Sequence, residues 1–268
     1  MTYRLGVIGG GVLAEALVKG LLAENIYPPA TILVSHPRAE RRQYWQETYG
    51  VVVSGDNRAA AAATEVVLVA VKPQQFSQVV PALSSVHPQA VLVSVLAGLS
   101  LTTLEQTVPG AVWVRAMPNT PVRVRAGITA LAWGSRVNEV QKQRVEQLFR
   151  AVGQVVVVPE TYLNAVTALA GSGPAYVAVL LEGLIDGGVL VGLPRALATQ
   201  LAVQTLAGTA AMLQQPGITP ADVKAQVMSP GGTTAAGLLP LETQGVRGIL
   251  MQTVQAAYLR AQTLEQAG

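Results

Sequence analysis

Two six-residue stretches in this chain of 268 residues are suited to holding anions with main-chain amides. Gly9-Gly10-Gly11-Val12-Leu13-Ala14 follows a short apolar run and opens a helical pattern. In that setting the G-x-G-x-x-A spacing binds a dinucleotide pyrophosphate. Gly9 permits the tight turn, Gly11 lets phosphate approach the backbone, and Ala14 lets the helix lie close on the strand. A glycine-rich turn without a ligand is the alternative. The second stretch, Ser229-Pro230-Gly231-Gly232-Thr233-Thr234, also leads into a helical pattern. Its unpaired amides and hydroxyls suit a carboxylate. Taken alone, it reads more simply as a Ser/Thr helix cap with no ligand.

The end of the second strand separates one nicotinamide cofactor from the other. An acid about 20 residues beyond the glycines accepts bonds from the ribose 2′-hydroxyl of NAD. Here the place reads Val34-Ser35-His36-Pro37-Arg38, with Arg41 and Arg42 one turn later. A hydroxyl and a guanidinium without a carboxylate suit a 2′-phosphate, so NADP is expected over NAD. Arg41 and Arg42 read as an exposed helix start. Three further strand ends lie on the ligand edge: Val71-Lys72-Pro73, Leu96-Ala97-Gly98 and Met117-Pro118-Asn119. Lys72 caps a phosphate or ribose, or is a solvated loop lysine. Asn119 holds a nicotinamide amide, or belongs to a plain turn.

Groups for proton transfer are scarce. The two histidines, His36 and His87, both lie in the first half, and Lys224 is the one lysine after residue 158. Reduction of a carbonyl needs a proton donor beside the hydride acceptor. A cationic iminium does not, because hydride addition gives the neutral amine directly, and this shifts weight toward imine reduction. Glu182 and Asp186 share a helical face, but no histidine accompanies them, so they read as structural and no metal site is expected. The absence of cysteine excludes disulfides, thiolate metal sites and cysteine nucleophiles.

These residues need a scaffold. Half the chain is apolar and 12% is charged, which excludes a disordered tail. Residues 1–158 carry 14 Lys/Arg against 9 Asp/Glu, and residues 159–268 carry 4 against 6. The basic residues are scattered and not interleaved with aromatics, so no nucleic-acid partner is expected. Apolar runs at Tyr3–Ile8, Ile32–Val34, Val51–Val53, Val66–Val71, Ala90–Val95, Val112–Arg115 and Val155–Val158 read as strands. Helical patterns at Val12–Glu24, Ala39–Tyr49, Gln75–Leu83 and Val137–Val152 lie between them, predicting a mostly parallel sheet with helices on both faces. After Pro159 the pattern is helical throughout, with Pro240 expected to break its helix. The expectation is a Rossmann-like dinucleotide-binding domain over 1–158, followed by an all-helical dimerisation and substrate domain over 159–268. The N-terminus lacks the pattern of a signal peptide. Ala175–Leu193 has transmembrane length, but Glu182 and Asp186 inside it favour a buried helix of a soluble protein.

Taken together, the motifs resemble the pyrroline-5-carboxylate reductase family over about Gly6 to Leu264. The resemblance rests on Gly9–Ala14 with Glu15-Ala16-Leu17, Ala70-Val71-Lys72-Pro73, Asn119-Thr120-Pro121, Gly171–Tyr176 and Ser229–Thr234. It implies reduction of 1-pyrroline-5-carboxylate to proline, the last step of proline synthesis, with NADPH or NADH giving hydride to the imine carbon. On matching positions, Ile8, Gly9, Gly10, Gly11, Val12, Leu13, Ser35, Asn57, Ala70, Val71, Lys72, Pro73, Ala97 and Asn119 meet the nucleotide. Ser229, Gly231, Gly232, Thr233 and Thr234 hold the substrate carboxylate. Thr234 also reaches the ring nitrogen as the catalytic candidate, and Glu160 lies on the substrate side. The family likeness further implies a cytoplasmic homodimer, or a larger ring such as a decamer, with no membrane partner. Val12-Leu13, Gln226 and Pro240 depart from the usual pattern. The competing readings are a 3-hydroxyacid-type dehydrogenase, which needs Lys224 as its catalytic lysine, and a non-catalytic NADP-binding protein.

Overall fold

A computed structural model describes residues 2–267. Contacts divide the chain into two units: one from the N-terminal strand through Ser172 together with the segment from Ala257 on, the other Gly173–Ala256. The expected boundary after residue 158 falls earlier than this division, because residues 159–172 stay with the sheet and the end of the last helix returns to it.

In the first unit, eight strands form one sheet among the described residues, in the order β3-β2-β1-β4-β5-β6-β7-β8. They are β1 (Leu5–Ile8), β2 (Ile32–Ser35), β3 (Val52–Ser54), β4 (Val66–Val69), β5 (Val91–Ser94), β6 (Val112–Pro118), β7 (Gly127–Trp133) and β8 (Gly153–Val157). All neighbours pair in parallel except β6 and β7, whose register sets Val114 against Trp133. Every residue of β1, β2, β4 and β5 is buried, as expected of strands covered on both faces. The helices are α1 (Val12–Ala23), α2 (Ala39–Tyr49), α3 (Asn57–Ala61), α4 (Phe76–Val79), α5 (Leu101–Thr107), α6 (Glu139–Arg150) and α7 (Leu163–Val166). Two hydrophobic cores result, one holding Leu17, Val34, Trp45 and Phe149, the other Leu33, Phe76, Leu104 and Trp113.

Three elements depart from the sequence reading. β7 is not among the expected strands, because Ala130 and Ala132 dilute its β-propensity, and its pairing with both neighbours overrides that preference. Gln75–Leu83 is not one helix: α4 is flanked by 3-10 turns at Pro73–Gln75 and Val80–Ser85, with Pro73 and Pro81 near their starts. A π-turn at Thr167–Gly171 links α7 to the next helix.

The second unit consists of α8 (Gly173–Leu190), α9 (Arg195–Leu213), α10 (Pro220–Val227), α11 (Thr233–Thr243) and the first part of α12 (Val246–Ala267). Pro240 does not end α11. The carbonyl it leaves without a helical donor, four residues back, belongs to the exposed Ala236. α8 and α9 pack so closely that a Cβ on Gly188 would lie 3.0 Å from that of Ala198. Contrary to expectation, α8 is not buried: none of its residues is fully buried by its own chain. Two helical stretches, Glu160–Leu190 and Arg195–Leu213, are long and apolar enough to cross a membrane by length and composition.

Candidate functional site

The glycine loop leaves β1 at the carboxyl edge of the sheet, the edge where open parallel sheets bind ligands. Gly9 has φ +98°, and a Cβ there would sit 2.7 Å from the Ala70 carbonyl oxygen. A Cβ on Gly10 would meet the Trp45 indole nitrogen at 2.5 Å, so both positions require glycine. Gly11 differs. A Cβ there would touch nothing within 4 Å, and the residue opens α1 with no side chain capping its amides. The loop therefore presents free N–H groups beside open space, which is what a pyrophosphate needs. Ile8 and Ala14 are fully buried, Val12 is 62% exposed, and the Gly9 amide donates to the Ser35 carbonyl at 3.1 Å.

The residues expected beside the ribose are mostly engaged with the protein. Arg41 is not a solvated helix residue: its Nε donates to the Gly10 carbonyl at 2.8 Å, and it pairs with Glu15. Trp45 also donates to Gly10, at 3.3 Å. Tyr44 and Tyr49 donate to Glu15 at 2.6 and 2.8 Å. Burial opposes ionisation of Glu15, but the bonds from Tyr44, Arg41 and Tyr49 outweigh it and hold the carboxyl below its ordinary range. Arg42 donates to the carbonyls of His36 and Pro37 at 2.8 and 2.7 Å. Ser35 is fully buried, and its hydroxyl donates to Asn57 Oδ1 at 2.8 Å.

Further along the edge, Ala70 pairs back to Ile8 at 2.8 Å, and Lys72, Pro73 and Ala97 lie toward solvent. Val71 is half-buried. The Asn119 amide is occupied on both sides: Oδ1 accepts from the Ile128 amide at 2.9 Å, and Nδ2 donates to the Ala170 carbonyl at 3.3 Å. It braces the β6 end against the π-turn.

Glu160 sits in a cluster that sequence reasoning missed. Its Oε1 accepts from buried Arg115 at 2.6 Å and from the Leu101 amide at 2.6 Å. The same Arg115 nitrogen binds Glu265 at 2.8 Å, whose other oxygen accepts from Asn164 at 2.6 Å. Glu160 Oε2 has no protein partner among the described residues. One cation faces two carboxylates, a net negative charge. Arginine within an apolar strand was the available signal.

In the second unit, the loop before α11 does not form the Ser/Thr cap that its sequence taken alone suggests. The cap is Gly232 and not a serine or threonine, and it makes no side-chain cap bond. Gly231 has φ +68°, and the first amide to find a helical acceptor is that of Ala236, bonded to the Gly232 carbonyl at 3.2 Å. The amides of Thr233, Thr234 and Ala235 therefore lack helical acceptors. α10 is the contrast, since its Thr219 and Asp222 form a reciprocal capping box. Lys224, in the last turn of α10, lines an apolar groove with Met228 and Leu238. Asp186 pairs with Arg195 at 2.8 Å on the surface.

A dinucleotide loop on a Rossmann-like sheet, joined to a helical unit with an uncapped amide turn, defines an oxidoreductase of the nicotinamide class. Residues 160–264 match the family model for pyrroline-5-carboxylate reductase dimerisation, and residues 4–98 match that for NADP oxidoreductase, coenzyme F420-dependent. The chain is 48% identical over 264 residues to a pyrroline-5-carboxylate reductase of Synechocystis, covering 98% of this chain and 99% of that one. It is 40% identical to one from Corynebacterium melassecola, covering 97% and 98%. The structure of a Coxiella burnetii pyrroline-5-carboxylate reductase superposes with a TM-score of 0.91 at 35% identity, over 98% and 99% of the two chains. The Plasmodium falciparum enzyme with NADP bound gives 0.88 at 29% identity, over 98% of each. This chain belongs to the pyrroline-5-carboxylate reductase family.

Proposed function

We propose that this chain reduces 1-pyrroline-5-carboxylate to proline, using NADPH in preference to NADH. The observation that carries the assignment is the uncapped turn at Gly231–Thr234, which offers amides to a carboxylate where a plain helix start would cap itself. The open face at Gly11 fits a dinucleotide, and Gly9, Gly10, Gly11, Leu13, Ala70–Pro73 and Ala97 would line it. When bound, the cofactor supplies the hydride that the imine carbon receives. Ser229, Gly231, Gly232, Thr233 and Thr234 orient the substrate through its carboxylate. The Thr234 hydroxyl reaches the ring nitrogen, where no proton donor is required because the protonated imine becomes a neutral amine on taking hydride. Glu160, with one oxygen open, sits on the substrate side as a carboxylate that favours the cationic ring.

The dinucleotide and carboxylate features favour this reading over the hydroxyacid dehydrogenase, for which Lys224 would have to act from an apolar groove. The uncovered apolar surface of α8 and α9, in a segment matched by a dimerisation family, supports a homodimer able to build a larger ring such as a decamer. The same burial on assembly, in place of a bilayer, supports a cytoplasmic location.

The test is consumption of NADPH with 1-pyrroline-5-carboxylate, followed by absorbance from pH 6 to 8. Thr234→Ala should lower kcat/KM for the imine about tenfold while leaving the dissociation constant for NADPH unchanged. Loss of turnover and nucleotide binding in parallel would overturn the role of Thr234. Lys224→Ala should retain activity.

A further inference from the structure

We propose that Glu265, in the last turn of α12, is a positioning residue for the imine reduction. By sharing Arg115 with Glu160, it keeps one Glu160 oxygen open and negatively charged for the cationic ring. The inference rests on the substrate-side reading of Glu160 above and names what holds that carboxylate in its working state.

Helix ends fray unless something holds them, and the end of α12 is held at several points. Ala261, one turn earlier, is buried. Gly98 has φ +81°, and a Cβ there would sit 3.2 Å from the Leu264 carbonyl oxygen. The last turn of α12 therefore lies against the loop that follows β5, beside Ala97 on the ligand edge of the sheet. The Glu265 carboxylate is fixed through both oxygens. Oε1 accepts from Arg115 Nη1 at 2.8 Å, and Oε2 accepts from Asn164 Nδ2 at 2.6 Å. All these residues belong to the first unit, as does Glu160.

Arg115 Nη1 is the nitrogen that both acids take, and its bond to Glu160 Oε1 is 2.6 Å. A planar guanidinium alone with one carboxylate pairs with both of its oxygens and cancels its charge. Glu265 prevents both effects. It draws the shared nitrogen to a second anion, so Glu160 is met through Oε1 alone, and it leaves two acids to one cation. Oε2 of Glu160 stays open, and the surplus charge is negative. The Arg115 side chain is 6% exposed, so solvent screens this balance less than it would on an open surface. A clamp that merely ties α12 to the sheet would use the same bonds, but its loss would not act through Glu160.

A double-mutant cycle on steady-state kinetics, with 1-pyrroline-5-carboxylate varied at saturating NADPH, separates the two roles. Glu160→Gln should raise KM for the imine about tenfold. Glu265→Gln should raise it about 3- to 10-fold, with kcat changed less than about twofold and NADPH affinity unchanged. Glu265→Asp, which keeps the charge, should retain most of the wild-type KM. In the Glu160→Gln background, Glu265→Gln should add nothing. An unchanged KM in Glu265→Gln, or the same fold-change in both backgrounds, overturns the proposal. Should Glu265→Gln also lower the denaturant midpoint, the comparison between backgrounds still decides, because a structural loss acts equally in each. A wild-type KM in Glu160→Gln overturns the substrate-side reading of Glu160 itself, and the proposal with it.

Discussion

In the first unit, β1, β2, β4 and β5 have no exposed residue. In the second, α8 and α9 have a single buried one between them, Ala198. Both regions are rich in apolar residues. The sheet finds its cover within the chain, whereas the helices present Val179, Leu184, Leu190 and Leu201 outward. A helix that is apolar all round is stable when something covers it. The contrast shows that hydropathy indicates how much surface must be hidden and not what hides it.

Glycine substitutions test this contrast most sharply. A Cβ on Gly6 would lie 1.8 Å from the Ala60 carbonyl oxygen, a backbone atom within the first unit. Gly6→Ala should therefore cost about 3 kcal/mol or more by denaturant unfolding. A Cβ on Gly183 or Gly187 in α8 meets nothing within 4 Å. In a protomer with nothing across that face, alanine there would add about 1 kcal/mol of helix stability. With a second copy closely covering the face, Gly187→Ala should instead weaken the dimer, read as a rise in its dissociation constant by analytical ultracentrifugation. A stabilised, unchanged dimer would place the subunit contact elsewhere.

The ion cluster is the next step down in size. Arg115→Met leaves Glu160 and Glu265 facing each other without their shared cation, at side-chain exposures of 28% each. With solvent screening of the two acids allowed for, the loss should be about 2 kcal/mol, read from the denaturant midpoint. The methionine side chain would occupy much of the arginine's volume, so a far smaller loss would mean that the cluster contributes charge placement and little stability.

The smallest effect is one of pH. Glu15 is held below its ordinary carboxyl value of 4.5, so its contribution is complete above that value and is lost as pH falls through the folded-state value. The wild-type protein should lose stability on acidification below about pH 4.5, and Glu15→Gln should flatten that part of the profile. An unchanged acid limb would show that the bonds from Arg41, Tyr44 and Tyr49 do not favour the ionised form.

The parallel strands and the glycine loop were legible because each combines an apolar run with a local signal, Gly9 and Gly11 at the turn. β7 was not, since its strand character comes from pairing with β6 and β8 and not from Gly127–Trp133 itself. At the site, the turn at Gly231–Thr234 was visible as a pattern, but whether a side chain capped it depended on geometry. The roles of Arg41, Arg42 and Asn119 were hidden for a similar reason: sequence gives a donor's type and not its acceptor. The Arg115 cluster joins residues up to 150 positions apart, a distance at which local pattern carries no information.

The chain leaves the sheet-bearing unit once and comes back to it, which makes Gly173–Ala256 a cassette spliced into the other unit. A fragment stopped at Ser172 would contain every strand yet lack Glu265, depriving Arg115 of one anion and Asn164 of its acceptor. To obtain the nucleotide-binding half as a free-standing protein, the cassette has to be replaced by a short linker and the tail from Ala257 retained.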